Sequence, residues 1–186
     1  MSLTEEDFVS AAKELGCEVA AIKAVAEVEA PGGGFLSDGT PKILFEAHVF
    51  SRLTKGRFDI THTRLSSPTW NPKLYLGGKR EHTRLQMAVR LDKDAALMSC
   101  SWGKFQIMGE NYKLAGFGNL RDFINAMFKT EHEHLEAFVD FIKNTGLVSS
   151  LRKRNWKLFA RKYNGPSYWK NNYDVKLEAA YKKLMH

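Results

Sequence analysis

The sequence contains 186 residues, 44% of them hydrophobic and 26% charged, with a formal net charge of +7. These values are typical of one globular domain. A chain of this length can bury a hydrophobic core, which excludes the class of small domains that depend on disulfides for stability. The positive charge favours a negatively charged partner, which is nucleic acid, a membrane surface or an anionic cell-wall polymer.

The amino terminus, MSLTEEDFVSAAKELG, is acidic and amphipathic, whereas a secretory signal has a basic start and an unbroken apolar run. We therefore predict no Sec-type export signal and no membrane-spanning segment. Cys17 and Cys100 are the only cysteines, and a chain of this length does not need a disulfide. Reduced thiols and synthesis in the cytoplasm are predicted, with a single disulfide as the alternative.

The first third of the chain predicts two helices and a short strand. Thr4, with Asp7 three residues later, is a plausible N-cap for a helix that runs to about Leu15 and ends at Gly16. A second helix is predicted over residues 18–29, since the Pro-Gly-Gly-Gly sequence that follows breaks helices. The next segments predict a strand and a helix, at residues 42–46 and 47–54.

The rest of the chain is irregular at first and then helical. Residues 57–78 are rich in Pro, Gly, Asn and Ser, which indicates an irregular lobe or a hairpin. Helical periodicity returns from Glu81, and apolar residues from Leu120 to Ile142 predict one long central helix. Two more helices are predicted, around residues 156–163 and 175–185. No repeat or linker interrupts this pattern, so a single domain over residues 1–186 is expected.

Glu29 occupies an unusual position on the second predicted helix. Ile22, Val25 and Ala26 form an apolar stripe, and Glu29 is the next residue on that stripe. Burial and the negative end of the helix dipole would both raise the pKa of its carboxyl group, as a general acid requires. A side chain that simply turns out to solvent is the alternative. Glu27 lies on the other face, four residues after Lys23, and is expected to form an ordinary exposed pair with it.

Glu46 is a second carboxylate in an apolar environment, within the run ILFEAHVF. If the strand continues that far, Leu44, Glu46 and His48 share one face. Glycoside hydrolysis commonly uses two carboxylates, so Glu46 is a candidate partner for Glu29 across a cleft. The alternative is a structural pair between Glu46 and a Lys or Arg.

No metal site or cofactor is predicted. The run Glu131-His132-Glu133-His134 lacks the spacing of a zinc-protease helix, because Glu136 stands where the second His would be. A solvated helix face is expected there instead. Four other histidines occur, namely His48, His62, His82 and His186. None of them has a cysteine partner at zinc-ligand spacing.

Four segments in a characteristic order resemble the N-acetylmuramidase family of phage endolysins. They are IKAVAEVEAPGGGF, LFEAHVF, SWGKFQIMGENY and YNGPSY, and together the resemblance spans roughly residues 10–185. The order is also similar to that of goose-type lysozymes and lytic transglycosylases, which belong to the wider lysozyme-like superfamily. The resemblance implies an α+β, predominantly helical, two-lobed lysozyme-like fold with a small hairpin or short sheet near residues 40–80.

The resemblance also implies roles for individual residues. Glu29 would be the catalytic general acid and Glu46 the second catalytic carboxylate. The substrate-binding residues would be Gln106, Tyr163, Asn164 and Trp102. An amide such as that of Gln106 suits the N-acetyl group of a sugar, and the Tyr163 hydroxyl is expected to donate a hydrogen bond to Glu29. Ala30 stands where relatives commonly have Ser.

The implied function is hydrolysis of the β-1,4 bond between N-acetylmuramic acid and N-acetylglucosamine in peptidoglycan, during bacterial cell lysis. Retention or inversion would depend on whether the carboxylates are about 5 Å or about 6.5–9.5 Å apart. The alternatives are a lytic transglycosylase, a catalytically inactive cell-wall binder and a basic nucleic-acid-binding module. The expected protein is a monomer without a separate cell-wall-binding module, without nucleic acid and without stable membrane insertion. It would reach the cell wall after release from the host cytoplasm.

Overall fold

The structure, a computed structural model, describes residues 2–185. Met1 and His186 lie outside the described residues, and His186 is one of the histidines that are predicted not to bind a metal. The helices are α1 Glu5–Leu15, α2 Val19–Glu29, α3 Ala47–Leu53, α4 Lys79–Val89, α5 Lys93–Met98, α6 Leu120–Met127, α7 Glu131–Asn144, α8 Val148–Arg152, α9 Trp156–Tyr163 and α10 Tyr173–Leu184. Short 3-10 turns cover Pro72–Leu74, Gly109–Asn111 and Tyr168–Asn171. Within residues 2–185, no helix is both long enough and apolar enough to cross a bilayer.

The strands form one small antiparallel sheet in the order β1-β2-β3, which are Ile43–Phe45, Cys100–Trp102 and Ile107–Met108. The predicted α+β, mainly helical class is therefore confirmed. Only β1 lies in the predicted region, however, because residues 57–78 form turns and a 3-10 turn instead of a hairpin. All three residues of β2 are buried, so this strand shows none of the alternation that reveals a half-exposed strand.

The ends of α1 and α2 lie where the sequence predicts them. The Thr4 side chain accepts a hydrogen bond from the Asp7 backbone, and the Asp7 carboxylate accepts one from the Thr4 backbone. Gly16 ends α1 with φ at 62°, a left-handed conformation that favours glycine. α2 ends at Glu29, directly before the glycine-rich turn. These signals are local, which is why the sequence alone predicts them.

The predicted single long helix after Asn119 is wrong. Two helices, α6 and α7, are separated by residues 128–130. Thr130 has an extended backbone, with φ at −149°, and its hydroxyl accepts a hydrogen bond from the Glu133 backbone. It therefore acts as the N-cap of a new helix within an uninterrupted apolar pattern.

The hydrophobic core contains buried residues of the sheet and of helices from both halves of the chain. The Phe105 ring follows β2 and stacks on Phe138 of α7 at a centroid distance of 4.3 Å. α10 packs along α2, and its Leu177 is completely buried. The helix that ends at Glu29 therefore packs against a helix from the opposite end of the chain.

The basic stretch between Arg152 and Lys162 is only partly the solvated face that was predicted. The Arg152 side chain donates a 2.6 Å hydrogen bond to the Leu15 carbonyl, and Arg154 forms an ion pair with Glu18. Both side chains thus stabilise the junction between α1 and α2. Lys157, Arg161 and Lys162 are exposed.

Candidate active site

A cleft of about 610 Å³ lies at the end of α2. Glu29 lines it together with three residues of β1 and the start of α3, namely Leu44, Glu46 and His48. Trp70 and Tyr75 come from the irregular segment before α4, and the chain from Tyr163 to Tyr173 supplies much of the remaining lining. The cleft therefore brings together residues from segments that are far apart in the sequence.

Glu29 is partly buried at the carboxyl end of α2, and the stripe that predicts its position, Ile22, Val25 and Ala26, is buried in the core. The side-chain amide of Asn164 donates a 2.7 Å hydrogen bond to Glu29 Oε1. Burial raises the pKa of Glu29 to about 7, although the Asn164 hydrogen bond and the positive charge of Lys176 both oppose this rise. The carboxyl group can therefore hold a proton near neutral pH.

Glu27 lies on the exposed side of α2, as predicted. The expected pair between Glu27 and Lys23 is wrong, because Lys23 forms its ion pair with Glu5 of α1. Packing of α1 on α2 brings Glu5 to this lysine, and spacing within one helix cannot predict that choice.

Glu46 is the N-cap residue of α3, and its side chain is 16% exposed. Leu44, Glu46 and His48 all line the cleft, but they do not share a strand face, because β1 ends at Phe45 and His48 lies in α3. The Tyr75 hydroxyl donates a 2.7 Å hydrogen bond to Glu46 Oε2, and His48 Nδ1 lies 3.2 Å from the same oxygen. Glu46 forms no pair with a lysine or arginine in the described part of the chain, so the alternative of such a pair is wrong.

Tyr75 and Trp70 form a short hydrogen-bonded relay to Glu46. Trp70 Nε1 donates a 2.7 Å hydrogen bond to the Tyr75 hydroxyl oxygen, which in turn donates its proton to Glu46. Burial and the neighbouring Glu46 charge raise the pKa of Tyr75 well above its ordinary value, so the hydroxyl stays protonated. Sequence reasoning missed both residues because they lie in the irregular segment.

Tyr173, the first residue of α10, is a further cleft residue that sequence reasoning missed. Burial, followed by the negative charges of Glu29 and Glu46, raises the pKa of Tyr173 to about 12. The Tyr173 hydroxyl is therefore close enough to both carboxylates for their charges to affect its pKa. Tyr173 follows three polar residues and precedes the predicted helix at residues 175–185, so the sequence pattern gives no signal of a site.

Tyr163 and Asn164 both line the cleft, but the predicted hydrogen bond from Tyr163 to Glu29 is wrong. The Tyr163 hydroxyl donates to the Phe105 carbonyl at 2.6 Å, and its ring stacks on Phe159. Asn164 contacts Glu29 instead, and Asn164 Oδ1 is buried without a hydrogen-bond partner among the described residues. Ala30 has no side-chain hydrogen-bonding group, and the side-chain hydrogen bond to Glu29 comes from Asn164 instead.

Gln106 lines the cleft with φ at 48°, a left-handed conformation that is uncommon for a residue with a side chain. Its Oε1 accepts a 2.8 Å hydrogen bond from Ser101, and its Nε2 donates one of 2.8 Å to the Gly103 carbonyl. The amide group therefore holds the turn between β2 and β3 in place at the floor of the cleft.

Trp102 is not a cleft residue, and its predicted substrate-binding role is wrong. Its side chain is 1% exposed, and its Nε1 donates to the Leu97 carbonyl at 3.2 Å. Trp102 belongs to β2, in which all three residues are buried, and its indole packs in the hydrophobic core.

Glu131 and His134 are buried, although the sequence predicts a solvated helix face for them. The Glu131 carboxylate accepts a hydrogen bond from the Gly34 backbone amide, in the turn after Glu29. His134 Nδ1 accepts from the Lys104 backbone at 3.1 Å, and Nε2 donates to the Met127 carbonyl at 2.9 Å. Burial lowers the pKa of His134, which keeps this ring neutral.

Glu81 of α4 is another buried carboxylate that sequence reasoning missed, and it is 0% exposed. It accepts hydrogen bonds from the Phe45 and Leu76 backbone amides, at 3.1 and 2.6 Å, and pairs with Arg84 at 2.8 Å. Glu81 thus joins β1 to the segment that carries Tyr75. The ionic pair at a spacing of three residues was the available sequence signal.

Cys100 is buried and Cys17 is partly buried, and both are free thiols. Burial raises the pKa of Cys17 to about 11 and that of Cys100 well above its ordinary value, so neither thiol is activated as a nucleophile. Among residues 2–185, no group of three or more His, Cys, Asp or Glu side chains is arranged to hold a metal ion.

A cleft lined by two carboxylates, one of which can hold a proton near pH 7, in a mainly helical fold with a small sheet, is typical of glycoside hydrolases. Residues 18–185 match the N-acetylmuramidase family. The chain therefore belongs to the N-acetylmuramidase family and is a glycoside hydrolase.

A similar solved structure supports the fold. The crystal structure of Burkholderia AP3 phage endolysin is 40% identical in sequence and superposes with a TM-score of 0.86. The match covers 98% of this chain and 70% of that chain. A comparison with curated proteins finds no match.

Proposed function

We propose that this protein hydrolyses the β-1,4 bond between N-acetylmuramic acid and N-acetylglucosamine in peptidoglycan, with Glu29 as the general acid and Glu46 as the second catalytic carboxylate. The observation that carries this proposal is the buried Glu29 carboxyl, with a pKa of about 7, in the same cleft as Glu46. A general acid works best when its pKa is close to the working pH.

The hydrogen bond from Asn164 distinguishes the two oxygens of Glu29. Oε1 accepts the amide hydrogen, so Oε2 is the oxygen available to carry the proton. In the proposed reaction, Oε2–H donates its proton to the glycosidic oxygen as the bond to the anomeric carbon breaks. The resulting carboxylate is stabilised by the same Asn164 hydrogen bond and by the positive charge of Lys176.

Glu46 is held in a similar way. Its Oε2 accepts the hydrogen bond from Tyr75, which leaves Oε1 to orient a water molecule or to stabilise the developing oxocarbenium ion. A lytic transglycosylase needs no second carboxylate, because the 6-hydroxyl of the sugar completes its reaction. A second carboxylate fixed in the cleft therefore favours hydrolysis.

The biological setting that we propose is host-cell lysis by a phage endolysin. It is supported by the similarity to the Burkholderia AP3 phage endolysin. We also propose that the chain forms one domain and acts as a monomer, since Glu29 and Glu46, the two proposed catalytic carboxylates, lie in one cleft of the same chain. Synthesis in the host cytoplasm and later release to the cell wall belong to the same proposal.

The test is mass spectrometry of the fragments that are released from purified peptidoglycan. We expect fragments with reducing N-acetylmuramic acid ends from the native protein. Glu29→Gln should reduce their release by about 10²–10⁴-fold, since this is the usual contribution of a general acid. Glu46→Gln should also lower release by orders of magnitude, and Glu27→Gln is the matched control on the exposed face of α2.

Three outcomes would contradict parts of the proposal. Fragments with 1,6-anhydro ends would assign the protein to the transglycosylases, and no fragments at all would exclude both enzymes. Full activity of Glu29→Gln, or near-normal activity of Glu46→Gln, would remove that residue from the mechanism. Circular dichroism of each variant would show that the fold is retained.

A further inference from the structure

Two exposed tryptophans flank a lysine beside the cleft. Trp70 is 42% exposed and precedes the Pro72–Leu74 turn, whereas Trp169 is 61% exposed and lies in the Tyr168–Asn171 turn. Lys170 follows Trp169 directly, and both Trp70 and Lys170 line the cleft. Large exposed aromatic rings cost hydration free energy, so such a group next to a catalytic cleft indicates a binding surface.

The Lys170 ammonium group connects the two indole rings. Its Nζ lies 5.7 Å from the ring centroid of Trp70 and 5.7 Å from that of Trp169. Lys170 forms no ion pair with a carboxylate in the described part of the chain. An exposed cation over an aromatic ring is held only weakly, so an anionic ligand could readily draw the ammonium group away.

The Trp70 ring is held at a defined place relative to the catalytic carboxylates. Its Nε1 donates to the Tyr75 hydroxyl, which donates to Glu46, and both hydrogen bonds measure 2.7 Å. These hydrogen bonds restrict rotation of the ring, which is 42% exposed and lines the cleft. The apolar face of a pyranose ring packs well on such a surface.

We propose that Trp70 and Lys170 form a binding site for a muramoyl residue of the glycan strand. A sugar ring packs on Trp70, and a carboxylate carried by the muramoyl residue pairs with Lys170. This inference rests on the proposed function and names the part of the substrate that the site recognises. The carboxylate is either the lactyl group of an unsubstituted muramic acid or a carboxylate of the stem peptide.

Calorimetric titration in the Glu29→Gln background tests the site without cleavage. The ligands are three oligosaccharides of equal length. The first is a muramic acid glycan with free lactyl groups, the second carries stem peptides, and the third contains only N-acetylglucosamine and has no carboxylate. Lys170→Met should weaken binding of at least one carboxylate-bearing ligand by about tenfold, as expected for loss of a charge-assisted hydrogen bond. Binding of the uncharged oligosaccharide should not change.

The source of the carboxylate follows from which ligand is affected. Loss confined to the peptide-bearing glycan assigns the stem carboxylate, and loss with the free lactyl glycan assigns the lactyl group. Lys170→Arg should restore most of the affinity. Lys183→Met, at an exposed position near the end of α10, controls for a general loss of positive charge. In the active protein, Lys170→Met should raise KM for intact peptidoglycan with little change in kcat.

Equal weakening of all three ligands, or no weakening of any, would overturn the carboxylate site while leaving the proposed function intact. If Glu29→Gln binds none of the three glycans and the native protein releases no fragments, both the proposed function and this binding site are contradicted. The two failures are therefore distinguishable.

Discussion

The ability of Glu29 to hold a proton near neutral pH results from opposing influences on one carboxyl group. Burial raises its pKa to about 7, while the Asn164 amide and the Lys176 charge lower it. Asn164 has a second effect, because its hydrogen bond fixes the direction of the carboxyl group. A single amide side chain thus influences both the acidity and the orientation of the proposed acid.

The Asn164→Ala variant separates these two effects. Loss of a hydrogen bond that stabilises the charged carboxylate should raise the pKa of Glu29 further above about 7. The basic limb of the profile of kcat/KM against pH should therefore move to higher pH, because the acid stays protonated over a wider range. The maximal rate should fall by about tenfold, as expected for the loss of one orienting hydrogen bond.

The measurement is the pH dependence of hydrolysis of soluble peptidoglycan fragments. Asn125→Ala, on an exposed face of α6, is the matched control and should leave the profile unchanged. A basic limb that stays in place, or that moves to lower pH, would show that Asn164 does not set the acidity of Glu29.

At the scale of elements, α7 supports two turns that lie close to each other. Glu131 binds the backbone of the glycine-rich turn after α2, and His134 binds the backbone of the turn between β2 and β3. A methyl group added at Gly34 would lie 2.7 Å from His134 Nδ1 and 2.8 Å from the Lys104 backbone nitrogen. The absence of a side chain at Gly34 therefore allows the end of α2 to approach the sheet.

Gly34→Ala should destabilise the protein by roughly 1–3 kcal/mol, because overpacking at this contact forces the backbone to shift. It should also lower activity, since the displaced turn directly follows Glu29. Thermal denaturation and fragment release would measure the two effects. Gly118→Ala is the control, because nothing lies within 4 Å of the added methyl group, and it should change stability by less than about 0.5 kcal/mol. Equal stability of the two variants would contradict the proposed close contact.

At the scale of the whole molecule, the same burial that raises the pKa of Glu29 should reduce stability as the pH rises from about 4.5 to about 7. Unfolded, the carboxyl group has an ordinary pKa of 4.5, whereas folding raises it to about 7. Below pH 4.5 both states are protonated and the group has no effect. As the pH rises through the interval to about 7, the unfolded state loses its proton first, so the free energy of unfolding decreases.

Glu29→Gln should abolish this dependence, because the amide does not ionise and its oxygen can still accept the Asn164 hydrogen bond. Relative to the native protein, the variant should gain at most roughly 3 kcal/mol between pH 4 and pH 8. Urea denaturation at the two pH values measures the difference, and Glu27→Gln serves as the exposed control. A difference between native protein and Glu29→Gln that does not change with pH would contradict the burial of an ionisable Glu29.

Much of the molecule could be predicted from short sequence patterns, because those features depend on contacts within a few residues. The cap of α1, the end of α2 and the position of Glu29 on an apolar stripe all follow from local hydrogen bonds and helical periodicity. The presence of Leu44, Glu46 and His48 in one cleft depends instead on the turn from β1 into α3, because the strand ends at Phe45.

The tertiary structure alone decided what surrounds these residues. The surroundings of Glu29 include Asn164, more than 130 residues away in the sequence, and α10 packs along the helix that carries Glu29. Contacts between distant segments likewise bury Trp102, Glu131 and His134, and they give Glu46 its partner Tyr75. A pattern along the chain identifies an unusual carboxylate, whereas its acidity depends on which distant groups exclude water from it.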